Sequence, residues 1–264
     1  MEIDDFVFAP RSKRALRRYK DKDLYETVEE VFDSETVLAL YYLMRRGVFD
    51  QLYGVISSGK EARVYWAKKG NTDLAVKIYL TSTAEFKKGM LKYILGDPRF
   101  ENIPRRSTKQ LIYAWTRKEF RNLKRLYNSG VRVPRPIFVF KNILVMEFIG
   151  ENGVRAPLLK EVGMSLDISE AKEIMDKILY YVKIGYCKAR LVHADLSEYN
   201  VMLHKGEPVI IDVSQALDVN HPNAYEFLMH DISTILKFFE KIGLKVPLTK
   251  EVYEWVINEC RKRN

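Results

Sequence analysis

The 264-residue sequence predicts an α+β chain of two lobes: a small, mainly β lobe with leading helices, then a reduced, mainly helical lobe. Three observations lead there. Alternating apolar text fills residues 62–79 and 131–148, helical periodicity takes over from about residue 169, and Met146-Glu-Phe-Ile-Gly150 reads as a strand that stops abruptly, as a hinge would. The boundaries follow. Residues 1–46 form a basic segment and helix packed on the rest, 47–149 the strand-rich lobe with a long flexible insertion at about 81–112, and 150–264 the helical lobe. With 47% hydrophobic and 30% charged residues, the chain suits one large domain or two compact lobes around a sizeable core.

Several function classes are disfavoured at once. No apolar run approaches the roughly 18 residues a membrane helix needs, and Met-Glu-Ile-Asp-Asp lacks the plan of a signal peptide, so a cytoplasmic protein without a membrane partner is expected. Cys187 and Cys260 form no C-x-x-C pair and have no histidine cluster at metal spacing, which predicts two reduced thiols. The net charge is +9, gathered at Arg11–Lys20, Phe86–Lys92 and the closing Arg-Lys-Arg-Asn264. One such cluster reads as a solvated helix face; three together give a nucleic acid or ribonucleoprotein partner equal standing.

Residues 24–46 carry Val28, Val31, Phe32, Leu38, Leu40, Tyr41 and Leu43 at helical spacing, with Gly47 as the stop. Gly54-Val-Ile-Ser-Ser-Gly-Lys60 then imitates a G-x-x-x-x-G-K phosphate loop, except that Glu61 stands where a P-loop needs a hydroxyl. The following text is strand, with Ala62, Val64 and Trp66 alternating, a turn at Lys68–Asp73 and a second strand at Leu74–Tyr79. A P-loop opens a helix, so that reading fails. A strand-turn-strand can still lie over phosphates if its tip is small, and Ser57, Gly59, Ala62 and Val64 fall on the G-x-G-x-x-G-x-V spacing of kinase glycine loops. An ordinary hairpin turn accounts for the same residues.

Lys77 sits in Ala-Val-Lys-Ile, on the strand face of Ala75 and Tyr79. It either snorkels from a sheet edge or holds phosphates and pairs with a glutamate from a helix. Tyr113–Asn128 is such a helix, with Glu119 between Trp115 and Leu123 and no cation at pairing distance; Lys118, Arg121 and Lys124 fall on other faces. Glu119 either pairs with Lys77 or bends out to water. Strands at Val131–Phe140 and Ile143–Phe148 follow, then a helix over about Ser169–Ala189. Next comes Leu191-Val-His-Ala-Asp-Leu-Ser-Glu-Tyr-Asn200, which matches H-x-D-x-x-x-x-N, and two short strands at 201–203 and 208–213, the second carrying Asp212 at the end of Val-Ile-Ile-Asp.

These residues belong together chemically. Phosphoryl transfer needs cations around the phosphates more than covalent work from the protein, so Asn200 and Asp212 suit metal ligands and Lys77 suits charge compensation. Asp195 suits the proton acceptor for an attacking hydroxyl.

Ser-Ser-Gly-Lys-Glu-Ala-Arg-Val-Tyr, Leu-Val-His-Ala-Asp-Leu-Ser-Glu-Tyr-Asn, Ile-Ile-Asp-Val-Ser-Gln and the block starting His221-Pro-Asn-Ala-Tyr resemble the RIO family of atypical serine/threonine kinases, first subfamily, over about residues 25–260. The resemblance implies a bilobal protein-kinase-like fold, ATP with Mg2+ or Mn2+, weak serine phosphorylation, and a role in small ribosomal subunit maturation with preribosomal RNA and protein as partners. It implies an ATP site at Ser57, Ser58, Gly59, Lys60, Glu61, Val64, Ala75, Lys77, Met146, Glu147, Ile149, Met202 and Ile211. Asp195 and Asp212, with Lys77 and Glu119, would be catalytic.

Departures from ordinary kinases are visible. Val-Ser-Gln follows Asp212 in place of Phe-Gly, no Ala-Pro-Glu occurs, and 52 residues follow Asp212, too few for the usual peptide-holding helices. This favours a second mechanism that the family suggests, ATP hydrolysis through a phosphorylated Asp212. The 53 residues before Gly54 are too few for the winged helix of the other RIO subfamily beside the leading helices. Ser107, next to Arg105 and Arg106, is either a self-phosphorylation site or an exposed polar turn. The alternative to an active kinase or ATPase is a catalytically idle, nucleotide-gated RNA-binding assembly factor.

Overall fold

The computed structural model describes residues 6–8, 33–80, 90, 93–94 and 107–261. The basic stretch at 11–20, the first part of the helix expected over 24–46, nearly all of the expected insertion up to residue 106 and the basic tail at 262–264 lie outside the described residues. Helix α1 (Ser34–Arg45) starts where the Asp33 carboxylate accepts from the Thr36 amide at 2.7 Å, filling a bond the helix itself cannot make. It stops ahead of Gly47, whose φ of +65° turns the chain.

Six antiparallel strands form one sheet in the order β1-β2-β3-β4-β6-β5. They are β1 (Phe6–Phe8), β2 (Gln51–Ser58), β3 (Ala62–Lys69), β4 (Thr72–Tyr79), β5 (Pro136–Phe140) and β6 (Ile143–Glu147). Alternation decides what each face does. Leu74, Val76 and Ile78 of β4 join Ala39, Leu40 and Leu43 of α1 and Ile143 and Val145 of β6 in one buried cluster. Lys77 leaves on the opposite face. The expected strand at Val131–Phe140 begins only at Pro136; Pro134, just ahead of it, has no amide to give a ladder.

Past β6 the chain reaches Gly150 at φ +151°, where a Cβ would stand 2.1 Å from the Val154 carbonyl oxygen; the backbone passes too close for any side chain. Gly150–Glu151 (β7) and Val154–Arg155 (β8) close a small hairpin there. Helix α2 (Thr108–Ser129) begins five residues before the expected Tyr113, so the end of the expected flexible insertion is regular helix. Ser107 starts it: its Oγ accepts from the Gln110 amide at 3.4 Å and its carbonyl from the Leu111 amide at 3.1 Å.

The chain divides into two compact units. One takes its described residues from Met1–Lys88, Ile103–Arg117 and Pro136–Arg155, the other from Gly89–Asn102, Lys118–Arg135 and Ala156–Asn264. The second is mainly helical. After the short α3 (Leu159–Val162), α4 (Ile168–Cys187) opens with a reciprocal cap in which Asp167 accepts from the Glu170 amide at 2.8 Å and Glu170 from the Asp167 amide at 3.2 Å. It packs with α5 (Ala224–Lys241) and α6 (Thr249–Arg261) around Ile178, Leu228, Ile232, Ile235, Phe239 and Val256, all buried. Two short pairs, β9 (Leu191–Val192) with β12 (Leu217–Asp218) and β10 (Val201–His204) with β11 (Glu207–Ile210), carry the loops of this unit.

The expectation of two reduced thiols is corrected. Cys187, the last residue of α4, and Cys260 of α6 form a disulfide, their Cα atoms 5.1 Å apart across 73 residues of sequence. Packing of the two helices creates the pair, and no local spacing announces it.

Asn142 joins α1 to the sheet. It is buried, and its amide donates to Thr36 Oγ1 at 3.0 Å and to the Tyr79 carbonyl at 2.9 Å. Asn142→Ala leaves a buried hydroxyl and carbonyl short of a donor, so urea unfolding should show a loss of about 1–3 kcal/mol; an unchanged midpoint would contradict this role.

Candidate active site

In the first unit, the hairpin between β2 and β3 pairs Ser58 with Arg63 and Ser57 with Val64, and its turn is closed by the Gly59 amide on the Ala62 carbonyl at 2.9 Å. Ser57, Ser58, Gly59 and Lys60 are exposed and Glu61 and Val64 half-buried. The Glu61 carbonyl accepts from the Leu80 amide at 3.0 Å, which ties the tip to the end of β4. Lys77 pairs with Val64 on one side and Leu144 on the other, so it stands on an interior strand and the edge-snorkelling reading fails. It is 7% exposed, with Nζ 5.1 Å from the centre of the Tyr79 ring. Ala75 pairs with Met146; Met146 and Glu147 end β6, and Ile149 is buried just beyond.

In the second unit, three of the expected residues come together. Asn200 Nδ2 donates to the Asp195 carbonyl at 2.7 Å and to Asp195 Oδ2 at 3.3 Å. The Asn200 carbonyl accepts from the Ile211 amide at 2.9 Å, which sets Asp212 beside the loop. Asp212 lies two residues past the end of β11, where the sequence suggested a strand terminus, and adopts φ +55°. A non-glycine residue in that region costs about 1–3 kcal/mol and persists where its surroundings over-determine it. Ser214 Oγ donates to Asp212 Oδ1 at 3.0 Å. Met202 lies in β10 opposite Val209, and Ile211 supplies the carbonyl 3.1 Å from His193 Nε2. Burial pushes the His193 pKa down, so the ring is neutral and donates to Ile211 through Nε2.

Glu119 is buried in α2, 1% exposed, and belongs to the second unit, whereas Lys77 belongs to the first. Lys118, expected on another face, is also 1% exposed, and its Nζ donates to the Ser214 and Ala216 carbonyls at 2.6 and 2.7 Å. Asn122 Nδ2 donates to the Val213 and Ala216 carbonyls at 2.9 and 3.0 Å.

Asp231 of α5 was not anticipated either. It is buried, accepting from the Ala194 amide at 2.8 Å and the Leu196 amide at 2.9 Å, on either side of Asp195. A signal existed: Asp231 shares a helix face with Leu228, Ile232 and Ile235, where a carboxylate needs a reason.

The donor set suits a small hard cation bound with nucleotide. Asn200 spends its nitrogen on Asp195 and keeps an amide oxygen as a neutral cation ligand, and Asp212 adds an exposed carboxylate. Mg2+ binds through one or two such groups plus phosphates and waters rather than through an all-protein cage. Among the described residues no cluster of three or more His, Cys, Asp or Glu side chains offers such a cage. No helix among them is long and apolar enough to cross a membrane.

The RIO domain family model matches residues 63–252. The chain is 43% identical over 243 residues to the RIO-type serine/threonine-protein kinase Rio1 of Haloferax volcanii, covering 92% of this chain and 81% of that one. It is 41% identical to the human serine/threonine-protein kinase RIO1 over 93% of its length but only 43% of the human protein, so it spans less than half of that relative. Among solved structures, the ADP/Mg2+-phosphoaspartate complex of Rio2 kinase from Chaetomium thermophilum matches with a TM-score of 0.61 at 23% identity, over 82% of this chain and 65% of that one. At that identity the likeness is one of fold.

Burial pushes the Asp231 carboxyl up to about 7, against the pull of its two amide donors. A carboxyl with a raised folded-state pKa stabilises the fold fully below its unfolded pKa, and that contribution is lost as pH rises through about 7. Between pH 4 and pH 7.5 the wild-type protein should therefore lose more stability than Asp231→Asn does, as read from urea midpoints; parallel profiles would show that Asp231 is ionised throughout.

Proposed function

The chain belongs to the RIO1-type serine/threonine-protein kinases, and from that premise we propose that it binds ATP with Mg2+ or Mn2+ and transfers the terminal phosphoryl group. The observation that carries this reading is the junction of Asp195, Asn200 and Asp212, in which the Asn200 amide nitrogen bonds Asp195 and its backbone carbonyl holds the residue before Asp212. A bound cation supplies charge neutralisation on the phosphates. Lys77, desolvated on an interior strand, adds a second positive charge there, and the buried Glu119 is the glutamate of the kinase pattern. In the first unit the small, exposed tip at Ser57–Lys60 with Glu61, Val64, Ala75, Met146, Glu147 and Ile149 binds nucleotide in this reading, and in the second Met202 and Ile211 do.

Two acceptors compete. In the first route, Asp195 takes the proton of a serine hydroxyl as its oxygen bonds to phosphorus and ADP departs. In the second, an Asp212 carboxylate oxygen forms the bond to phosphorus while the bond to ADP breaks; water then attacks the acyl phosphate, Asp195 takes its proton, and inorganic phosphate leaves. The phosphoaspartate named for the Rio2 complex supports the second route. Serine phosphorylation is then the slower reaction, and Ser107 is its self-acceptor. Just ahead of α2, a phosphorylated Ser107 would set its charge at the positive end of a 22-residue helix, which stabilises it. In the cell we place this switch in small ribosomal subunit maturation, with preribosomal RNA and protein as partners; a net charge of +9 supports that assignment.

Asp212→Ala should abolish release of labelled phosphate in a single-turnover assay, and wild-type activity at any metal concentration would sink the assignment. Borohydride reduction of a trapped reaction should convert Asp212 to homoserine, with more of it in Asp195→Asn, which has lost the group that activates water. No homoserine under any trapping condition would leave only the serine route. Binding to preribosomal RNA should fall steeply with salt as counterions are released, and a flat response would remove RNA from the list of partners.

A further inference from the structure

The segment after Asp212 has almost no regular structure of its own, yet three of its carbonyls are held from one side. Lys118 bonds Ser214 and Ala216, and Asn122, one helical turn on, bonds Val213 and Ala216, so four hydrogen bonds of 2.6–3.0 Å fall within four residues. Both side chains are buried, and Lys118 brings a charge. Burying an ammonium costs several kcal/mol unless its donors are satisfied, so this is an expensive way to secure a turn that an asparagine or a water could also cap. What the site gains is orientation. Carbonyls drawn toward α2 fix the peptides that follow Asp212, which favours the left-handed conformation at Asp212 and sets Ser214 Oγ against its carboxylate.

We propose that Lys118 and Asn122 are positioning residues that lock the Asp212 loop to the turn of α2 carrying Glu119, so that metal binding meets a preformed Asp212. This rests on the reading of Asp212 as the metal-side carboxylate. Lys118 and Asn122 flank Glu119 at −1 and +3, on one stripe of the helix, so the loop and Glu119 move as one body. A rearrangement that turned Asp212 away would have to break four buried bonds together.

The test uses the full chain with Mn2+ and ADP, the free metal being read by electron paramagnetic resonance. Lys118→Met and Asn122→Ala should weaken Mn2+ binding by about 10–100-fold, the usual effect of losing a partner that orients a metal ligand. Asn142→Ala, a buried hydrogen-bond loss in the other unit, lowers stability but should keep wild-type Mn2+ affinity. Folded Lys118→Met and Asn122→Ala proteins that bind Mn2+ as the wild type does would overturn the proposal. Hydrogen exchange on unaltered protein gives a second reading that needs no variant to fold. Without nucleotide or metal, the Ala216 amide, bonded to the Val213 carbonyl at 3.2 Å, should exchange as slowly as interior amides of α2. Exchange orders of magnitude faster would show a loop that opens by itself and would equally overturn the lock. If the wild type binds no Mn2+, the functional reading fails, and the exchange measurement alone decides the lock.

Discussion

Asp231 holds two backbone amides, and the working geometry of the second unit hangs on that contact. The loop from His193 to Asn200 follows a strand of two residues, passes through Ala194 at φ +70°, and has no ladder to fix it. A buried carboxylate on a long helix solves the problem. The helix is anchored by Leu228, Ile232 and Ile235 in the apolar core, so packing energy from side chains remote from the chemistry fixes where Ala194 and Leu196 stand, and Asp195 between them follows. Asn200 hangs on Asp195, and the Ile211 amide hangs on Asn200. Order passes from core to helix to loop to the segment that carries Asp212 by hydrogen bonds to the backbone, which tolerate little displacement.

The two units solve the same problem by different physics. In the first, β4 is interior, so its ladder bonds on both sides fix the Lys77 backbone and alternation alone aims the side chain away from the apolar cluster. In the second, Asp195, Asn200 and Asp212 lie on irregular segments, and buried polar groups take over from the ladder: Asp231, Lys118, Asn122 and His193 all bond main-chain atoms. This is why the most costly residues of the core lie beneath the loops.

Much of this was legible in the sequence, because the candidate catalytic residues are marked by type and spacing. His193, Asp195, Asn200 and Asp212 fall in one short run, and strand alternation put Lys77 on its face. Residues that act on the backbone leave a weaker mark. Lys118 and Asn122 sit among Lys, Arg and Glu on a helix rich in charge, and nothing in the local pattern separates the buried Lys118 from the exposed Arg117 and Arg121. Their targets, the Val213, Ser214 and Ala216 carbonyls, lie more than ninety residues away, and a carbonyl carries no side-chain identity. The start of α2 was missed for a smaller reason. Thr108–Ile112 reads as the end of a charged loop until Ser107 is seen to cap it.

The Cys187–Cys260 bond closes a covalent ring, and Asp195, Asn200, Asp212 and Asp231 are all threaded on it. A protease that cuts once anywhere between the two cysteines would open this ring without releasing a fragment. The nicked chain, heavier by one water, would stay in one piece until a thiol reagent separated the halves. Integrity judged on a reducing gel and integrity judged on a non-reducing one therefore become different quantities for this molecule.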